Sequence, residues 1–330
     1  MAHSVQRAQP VQQASKAAEP IDAVFTWVDG AWPGYDELLR RHAADRHDLN
    51  PNRYRDNLDL LKYNLRSLER YAPWIRHVFV VTCRPQKPEW LDTRASRLVH
   101  HDAFMPPADV PTFNSFAIVA NLHRIEGLSR RFVYIEDDQL FGAPIQPSDL
   151  FDGEGRPRVR LKRRLSRTAA DRFDAALSPW NRALAFSNHL LDERYGASAR
   201  RAVSHTAVPI DVESWRAMIT SWPDAFARTS ASRFRATENV APEHLYPHFL
   251  IAERRGVAVP PMDAHRQSAY HPLNNVVTFQ RAGLLRLRLQ RPKFFCMNDN
   301  FGERPNPRVV ALVARTLERW FPAPSRFELR

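Results

Sequence analysis

The chain has 330 residues, of which 44% are hydrophobic and 25% charged, and its net charge is +12 at pH 7. This length and composition predict a folded chain with one large or two modest domains, and they exclude a disordered or fibrous protein. Two distant cysteines, Cys83 and Cys296, exclude a disulfide scaffold and a zinc site made of thiolates alone, and no run of about 18 apolar residues predicts a membrane-spanning helix.

Residues 1–19 are polar and lack an apolar centre. We expect a disordered tail there rather than a secretory signal, and the low cysteine content fits a reducing, cytoplasmic location. Residues 20–150 are expected to form an α/β core. Residues 151–330 are richer in proline and arginine and should belong to the same integrated domain.

The first half of the chain alternates predicted strands and helices. Strands are expected at residues 21–28, 77–82, 98–101 and 132–135, and helices at 36–45, 53–71 and 116–126. Within 53–71, four leucines recur at three- and four-residue steps and define a buried face, namely Leu58, Leu61, Leu65 and Leu68. The pattern predicts an α/β fold, Rossmann-like, with a mostly parallel sheet flanked by helices. A helical, Arg-rich C-terminal half should follow, with helices at 178–195, 211–221 and 308–321.

Three acids follow the strand predicted at residues 132–135: Glu136, Asp137 and Asp138. Because the carboxyl ends of parallel strands share one edge of a sheet, Asp29 at the end of the first strand should lie near them. An acidic surface turn is the alternative. The return to apolar sequence at Leu140 favours a site for a hard cation or a base.

Two basic runs contain no acid. Residues 156–167 hold seven Lys or Arg and residues 281–293 hold five. Such runs can be solvated loops, or they can meet nucleic acid, anionic lipid, a polyanionic polymer or phosphorylated small molecules. The leucines between the arginines of the second run indicate a partly buried or membrane-facing segment.

Further polar clusters lie in the second half. Asn298 and Asp299 offer oxygen ligands that, with the acids at 136–138, suit Mg²⁺ or Mn²⁺. His205 could act as a general base, since an unperturbed histidine has a pKa of about 6.5. His244 and His248 have the spacing of a metal chelate, but Pro247 between them argues against a regular helix.

Phosphate would have to be held by side chains and metal. No glycine-rich phosphate-binding motif occurs among the ten glycines of the chain. Forked guanidinium groups could bind phosphate oxygens, either in the helix at 53–71, from Arg55 and Arg66, or near the middle of the chain, from Arg233 and Arg235.

These segments, taken together, resemble a known family. The resemblance rests on these segments: IDAVFTWVDG (21–30), RYRDNLDLLKYNLRSL (53–68), TFNS (112–115), YIEDD (134–138), SHTAVP (204–209), FARTSASRFR (226–235) and the Asn298-Asp299 pair with residues 321–328. They resemble the four conserved regions of the Stealth sugar-phosphate transferases. That family includes bacterial capsule polymerases and the enzyme that adds N-acetylglucosamine 1-phosphate to lysosomal glycoproteins.

The resemblance implies that the fold is GT-A-like, that residues 20–150 bind a nucleotide-sugar and that residues 151–330 complete the catalytic site. It also implies a reaction. An acceptor sugar hydroxyl attacks the sugar-linked phosphate of a UDP-sugar, commonly a UDP-N-acetylhexosamine, so that UMP leaves and a phosphodiester remains. Such chemistry needs positioning and charge neutralisation more than covalent help. The chain then looks like a bacterial capsule or cell-wall enzyme.

The resemblance also implies roles for individual residues. Donor-binding residues would be Thr26, Trp27, Asp29, Gly30, Arg55, Asp56, Arg66, Asn114 and Ser115. Metal ligands would be Asp137, Asp138, Asn298 and Asp299, with Mg²⁺ or Mn²⁺ as cofactor. Arg233 and Arg235 would neutralise phosphate, and either His205 or Asp29 would take the acceptor proton.

Two positions depart from the family pattern: Glu136 stands where Asn is usual, and Val119 where Glu is usual. A metal-dependent glycosyltransferase that releases UDP is one competing interpretation, and a catalytically inactive polyanion-binding protein is another. The expected partners are a UDP-sugar and an oligosaccharide or polysaccharide acceptor, without nucleic acid. The basic runs would allow peripheral contact with the anionic inner face of the membrane.

Overall fold

The computed structural model describes residues 19–44, 49, 54, 56–302 and 304–329. The tail expected at residues 1–19 lies outside them except for Glu19. The strands are β1 (Ile21–Thr26), β2 (Val78–Thr82), β3 (Arg97–His100), β4 (Arg131–Glu136), β5 (Gln139–Phe141), β6 (Arg158–Val159), β7 (Leu161–Leu165), β8 (Arg201–Val203), β9 (Val208–Asp211), β10 (Val257–Ala258), β11 (Ser268–Leu273) and β12 (Phe294–Asp299).

The α-helices flank these strands. They are α1 (Tyr35–His42), α2 (Leu60–Tyr71), α3 (Ser115–Asn121), α4 (Pro147–Leu150), α5 (Pro179–Tyr195), α6 (Val212–Ser221), α7 (Pro223–Ala231), α8 (Pro242–Ala252), α9 (Pro261–Gln267), α10 (Val277–Gln290) and α11 (Pro307–Trp320). None of the described helices is long and apolar enough to cross a membrane.

A five-stranded sheet lies at the centre, in the order β3-β2-β1-β4-β9. Its first four strands are parallel, and β9 is antiparallel to β4. All five residues of β2 are buried, as expected of a parallel strand covered on both faces. The predicted α/β class, with a mostly parallel sheet flanked by helices, is therefore confirmed.

A second sheet, in the order β11-β12-β5, adjoins the first. The turn at Asp137 and Asp138 joins β4 of the large sheet to β5 of the small one, and the Asp138 carbonyl accepts a hydrogen bond from the backbone N–H of Met297 on β12. The acidic turn therefore lies at the junction of the two sheets, not on a surface loop.

Helix α2 packs its predicted leucine face into the core, where Leu58, Leu61, Leu65 and Leu68 are all buried. The helix begins later than expected, at Leu60. The preceding Asp59 has a φ of 50°, in the left-handed region, and this conformation interrupts the helix. Helix α3 is also shorter than expected, because a 3₁₀ turn follows it and Gly127 has a positive φ of 75°.

The C-terminal half has the three predicted helices, as α5, α6 and α11, and it also has strands that the sequence analysis did not predict. It contains β6 to β12, and β9 completes the large sheet. The basic run at 156–167 forms β6 and β7 rather than a solvated loop. The second run lies largely on α10, where Leu284 and Leu287 are buried while Leu285 and Leu289 are exposed.

Helix α8 continues through Pro247, so the expectation of an irregular segment was wrong. The ring nitrogens of the two histidines are engaged by the protein: His244 Nε2 lies 3.0 Å from Asn188 Oδ1, and His248 Nε2 lies 3.0 Å from the Arg201 carbonyl oxygen. Burial lowers the pKa of both, so they are neutral core residues.

Candidate active site

The carboxyl ends of β1 and β4 meet as the sequence predicts, with Thr26 in register with Glu136. A cavity of about 160 Å³ opens at this edge. Five predicted site residues line it: Thr26, Trp27, Ser115, Asp137 and Arg235. Its wall also includes Tyr35, Tyr54, Phe113 and Glu136. An aromatic wall next to acids and an arginine is suited to a nucleotide and its phosphates.

Asp138 lies at the centre of a second group of side chains. Its Oδ2 accepts hydrogen bonds from Cys296 Sγ at 3.2 Å and from Asn298 Nδ2 at 3.1 Å. Its Oδ1 lies 3.5 Å from His205 Nε2, and His205 Nδ1 lies 3.6 Å from Glu136 Oε1. The imidazole therefore lies between two carboxylates, one of which lines the cavity.

The two carboxylates control the protonation of His205. Burial alone would lower the pKa of His205, but Glu136 and Asp138 outweigh it and raise the pKa to about 9. Burial raises the pKa of Glu136. Burial would also raise the pKa of Asp138, but His205 and the hydrogen bonds from Asn298 and Cys296 hold it below its usual value. In this arrangement the imidazole is protonated at neutral pH and Asp138 is ionised.

The residues fit a divalent cation. Asp138, His205 and Cys296 each place one possible ligand atom within 4.8 Å of the others, but the protonated His205 imidazole has no lone pair to offer, so the carboxylates are the ligands that remain. Among the described residues, Asp138 Oδ1 is buried and has only the 3.5 Å ion pair with His205 Nε2, without a hydrogen bond, so it has capacity left for a ligand. Burial and the nearby carboxylates of Asp138 and Asp56 raise the pKa of Asp137 well above its usual value, so a cation there would relieve repulsion among these acids.

The structure separates the two predicted metal ligands of β12. Successive side chains of a strand point to opposite faces, so Asn298 shares a face with Cys296, and Asp299 faces away. Asn298 donates to Asp138 and accepts from Tyr270 Oη at 3.0 Å, which makes it a positioning residue. The carboxylate of Asp299 accepts from Asn57 Nδ2 and the Phe301 N–H, and Asp299 is not part of the converging group.

The predicted donor residues after β1 have mainly backbone roles. Asp29 Oδ1 accepts from the Ala31 N–H, and the backbone N–H and carbonyl of Asp29 are both held by the Gln86 amide. The N–H of Gly30 donates to the Tyr54 carbonyl oxygen at 2.5 Å, and a Cβ at position 30 would lie 2.9 Å from that oxygen. Gly30 thus permits a close backbone approach that brings Tyr54 to the cavity.

Asp56 acts through Trp27. Its Oδ2 accepts a hydrogen bond from Trp27 Nε1 at 2.7 Å, which fixes the indole beside the cavity. Burial raises the pKa of Asp56 despite this hydrogen bond. Arg55, predicted next to it, lies outside the described residues.

Arg66 is not brought to the site. Its side chain is only 7% exposed and makes two hydrogen bonds with Glu328 at 2.9 and 2.7 Å, another with Glu318, and one to the Phe321 carbonyl. The guanidinium joins α2 to the C-terminal segment, which corrects its predicted contact with the donor.

Of the remaining predicted residues, Ser115 and Arg235 line the cavity, whereas Asn114 and Arg233 do not. Asn114 is completely buried, caps α3 through the Phe116 N–H and donates to the Ser232 carbonyl, so it is structural. Arg233 Nη1 donates to the Pro111 carbonyl and is not part of the cavity wall. Arg235 Nη2 donates to Ser115 Oγ at 2.6 Å, and both line the cavity.

Three residues at or near the site were missed by the sequence analysis: Gln86, Tyr270 and Cys296. The period-two pattern of β12 could have identified Cys296, since it lies two residues before Asn298. Gln86 and Tyr270 reach Asp29 and Asn298 over separations of 57 and 28 residues, and nothing local indicates either contact.

Comparison with known proteins places these residues in conserved regions. Three family models match: Stealth protein CR2, conserved region 2, at residues 53–159; Stealth protein CR3, conserved region 3, at 204–252; and Stealth protein CR4, conserved region 4, at 285–330. Asp138, His205 and Cys296 each fall in a different region.

Curated relatives are similar over nearly the whole chain. Exopolysaccharide phosphotransferase SCO6023 of Streptomyces coelicolor is 35% identical, over 94% of this chain and 52% of that protein. Exopolysaccharide phosphotransferase CpsY of Mycobacterium tuberculosis is 34% identical, over 96% and 59%. The chain therefore spans only a little over half the length of these relatives.

Among solved structures, the galactosyltransferase LgtC in complex with donor and acceptor sugar analogs matches with a TM-score of 0.41 and 10% identity, over 92% of this chain and 96% of that one. The membership rests instead on the sequence. Three regions of one family match in order and contain the residues that converge on Asp138, and so this chain belongs to the Stealth family.

Proposed function

We propose that this chain transfers sugar 1-phosphate from a UDP-sugar, in particular a UDP-N-acetylhexosamine, to a sugar hydroxyl of a growing capsular or cell-surface polysaccharide. The relatives named exopolysaccharide phosphotransferase support this activity. The observation that carries it is the His205 imidazole held between Asp138 and Glu136 beside a cavity lined by Asp137 and Arg235.

The donor would occupy the cavity at the end of β1. Trp27, fixed by Asp56, and the tyrosines of the wall offer faces to the base, and Arg235 offers a guanidinium to the diphosphate. Asp137 and Asp138 would hold Mg²⁺ or Mn²⁺, which prefer carboxylate oxygens. Bound there, the cation would neutralise charge on the donor diphosphate.

The reaction needs a base for the acceptor. The acceptor oxygen attacks the phosphorus that carries the sugar, the bond from this phosphorus to the bridging oxygen of UMP breaks, and UMP leaves with the electron pair. His205 would take the acceptor proton after passing its own proton to Glu136, whose pKa is raised by burial. Asp29 is a weaker candidate, because its carboxylate already closes a turn with Ala31.

The nucleotide product tests this proposal. With Mg²⁺, a panel of UDP-sugars and an oligosaccharide acceptor, we expect UMP to be released in step with acceptor extension, measured by chromatography. Release of UDP would instead establish a glycosyltransferase. Absence of either product with every donor, together with polyanion binding unaffected by Asp138→Asn, would support the inactive binding protein.

A further inference from the structure

Lys162 on β7 is a half-buried cation close to the site, and the proposed reaction does not use it. Its Nζ lies 5.5 Å from the ring centroid of Tyr270. Within the part of the chain that the structure describes, this ammonium makes no hydrogen bond or ion pair. A desolvated cation without a protein anion is costly, so its partner is expected to be a ligand.

Lys162 belongs to a row of cations at alternate positions of the chain, Arg160, Lys162 and Arg164. Arg160, two residues earlier, stacks 4.4 Å from the Phe294 ring, two residues before Cys296. Burial and the neighbouring charge of Arg164 lower the pKa of Lys162. Arg164 is exposed and makes no ion pair among the described residues. Along this row the side chains are buried at Arg160, half-buried at Lys162 and exposed at Arg164.

Tyr270 connects this row to Asp138. Its hydroxyl donates to Asn298, which donates to Asp138, and its ring lies 6.2 Å from the His205 ring. The ring is 43% exposed, so one face is available to pack against a sugar. Neither Tyr270 nor Lys162 lines the donor cavity, and so both are available to the acceptor.

We propose that Lys162 and Arg164, with Tyr270 between them and Asp138, form an acceptor subsite that binds an anionic phosphodiester of the growing polymer. This inference rests on the proposed function and deepens it. An acceptor that already carries a phosphodiester supplies the missing counter-charge, whereas a neutral acceptor leaves Lys162 unpaired. The enzyme therefore favours extension of a phosphate-containing chain over a single transfer to a neutral sugar.

The test measures polymer binding without turnover. Poly(glycerol phosphate) serves as the phosphodiester probe and dextran of similar length as the neutral probe, with affinities from fluorescence anisotropy. Lys162→Gln and Arg164→Gln should each weaken poly(glycerol phosphate) binding roughly tenfold, the value of one charge-assisted hydrogen bond. Dextran binding should stay unchanged in both variants.

Arg163→Gln is the matched control, because it removes the same charge from the next position of the strand, and Arg163, unlike Arg164, is not among the charges that act on Lys162 and Tyr270. We expect it to bind both probes like the unsubstituted protein, and UDP binding should be unchanged in all three variants. Equal losses at Arg163 and Lys162, or no loss at Lys162, would overturn the subsite. If UMP release fails but the binding pattern holds, the proposed function falls and the anion subsite stands.

Discussion

At the scale of single residues, Asp138 is the carboxylate on which three segments converge. It is the second member of the Asp137-Asp138 turn, yet its partners come from positions 205, 296 and 298. Asp299, predicted as an equivalent ligand, has both oxygens engaged elsewhere. The two aspartates therefore offer a direct comparison.

Asp138→Asn should lower the rate of UMP release by roughly a hundredfold or more, because a charge-stabilising group of the reacting centre is lost. The same substitution should abolish Mn²⁺ binding measured by electron paramagnetic resonance. Asp299→Asn should preserve both. Equal losses in the two variants would show that Asp299 is a metal ligand after all.

Glu136 is one of the two residues that depart from the family pattern, and it lies beside His205. Its carboxylate helps to raise the pKa of His205, so Glu136→Asn, which introduces the usual family residue, should lower that pKa. If His205 must be unprotonated to act as base, the acidic limb of the pH profile of kcat/KM should move to lower pH. Glu243→Gln is the control for a more distant carboxyl. A profile unmoved by Glu136→Asn would separate Glu136 from the proton transfer.

At the scale of elements, the pair formed by Arg66 and Glu328 fastens α2 to the C-terminal segment. Both side chains are buried, at 7% and 8% exposure, and their closest contact is 2.7 Å. Arg66→Met should therefore lower the free energy of unfolding by about 3–5 kcal/mol, since it leaves a buried carboxylate unpaired. Urea denaturation measures this loss.

The double variant Arg66→Met/Glu328→Leu should recover much of that stability, and neither variant should change the KM for the UDP-sugar. A raised KM with normal stability would instead support the predicted donor contact.

Burial would raise the pKa of Glu328, but Arg66 outweighs it and holds the pKa below normal. The stabilisation is therefore present above the unfolded pKa of about 4.3 and is lost as pH falls through the lower folded value.

Helix α10 is the element on which we expect the membrane contact suggested by the second basic run. Its outer face exposes Leu285 and Leu289, with Arg281, Arg286 and Arg288 also exposed, and residues 277–293 contain no acid. Apolar side chains among arginines suit an anionic lipid surface.

We predict binding to vesicles of phosphatidylcholine with 30% phosphatidylglycerol, roughly the anionic content of a charged membrane surface, and loss of this binding in Leu285→Glu/Leu289→Glu. Sedimentation with pure phosphatidylcholine vesicles and with Arg315→Glu on α11 provides the controls. Unchanged binding of the leucine variant would exclude α10 as the contact. If the unsubstituted protein forms dimers and the leucine variant does not, the exposed face of α10 binds a second copy of the chain instead.

At the scale of the whole molecule, an acidic centre lies inside a strongly basic protein. The net charge is +12, yet Asp56, Asp137, Asp138 and Glu136 are close enough to perturb one another, and burial with Glu136 raises the pKa of Glu243 to about 7. The outer field would attract the proposed anionic donor and polymer, while the acids inside would require a cation or protons before those anions could enter.

The sequence by itself determined the local features of this protein. The parallel strands, the leucine face of α2 and the acids at the end of β4 follow from hydrophobic periodicity, which acts between neighbours in the chain. The charge pattern made Asp137 and Arg235 candidates for the site, and the motifs that resemble the family added Thr26.

Only the tertiary structure decided which distant residues meet. Arg66 reaches Glu328 across 262 residues, Asp138 reaches Asn298 across 160, and Lys162 faces Tyr270 from another sheet. Such contacts depend on how strands and helices pack, and packing is not encoded in any local period. For this reason the sequence supplied the candidates for the site, while the fold assigned Arg66, Asn114 and Asp299 to structural contacts and brought His205 to Asp138.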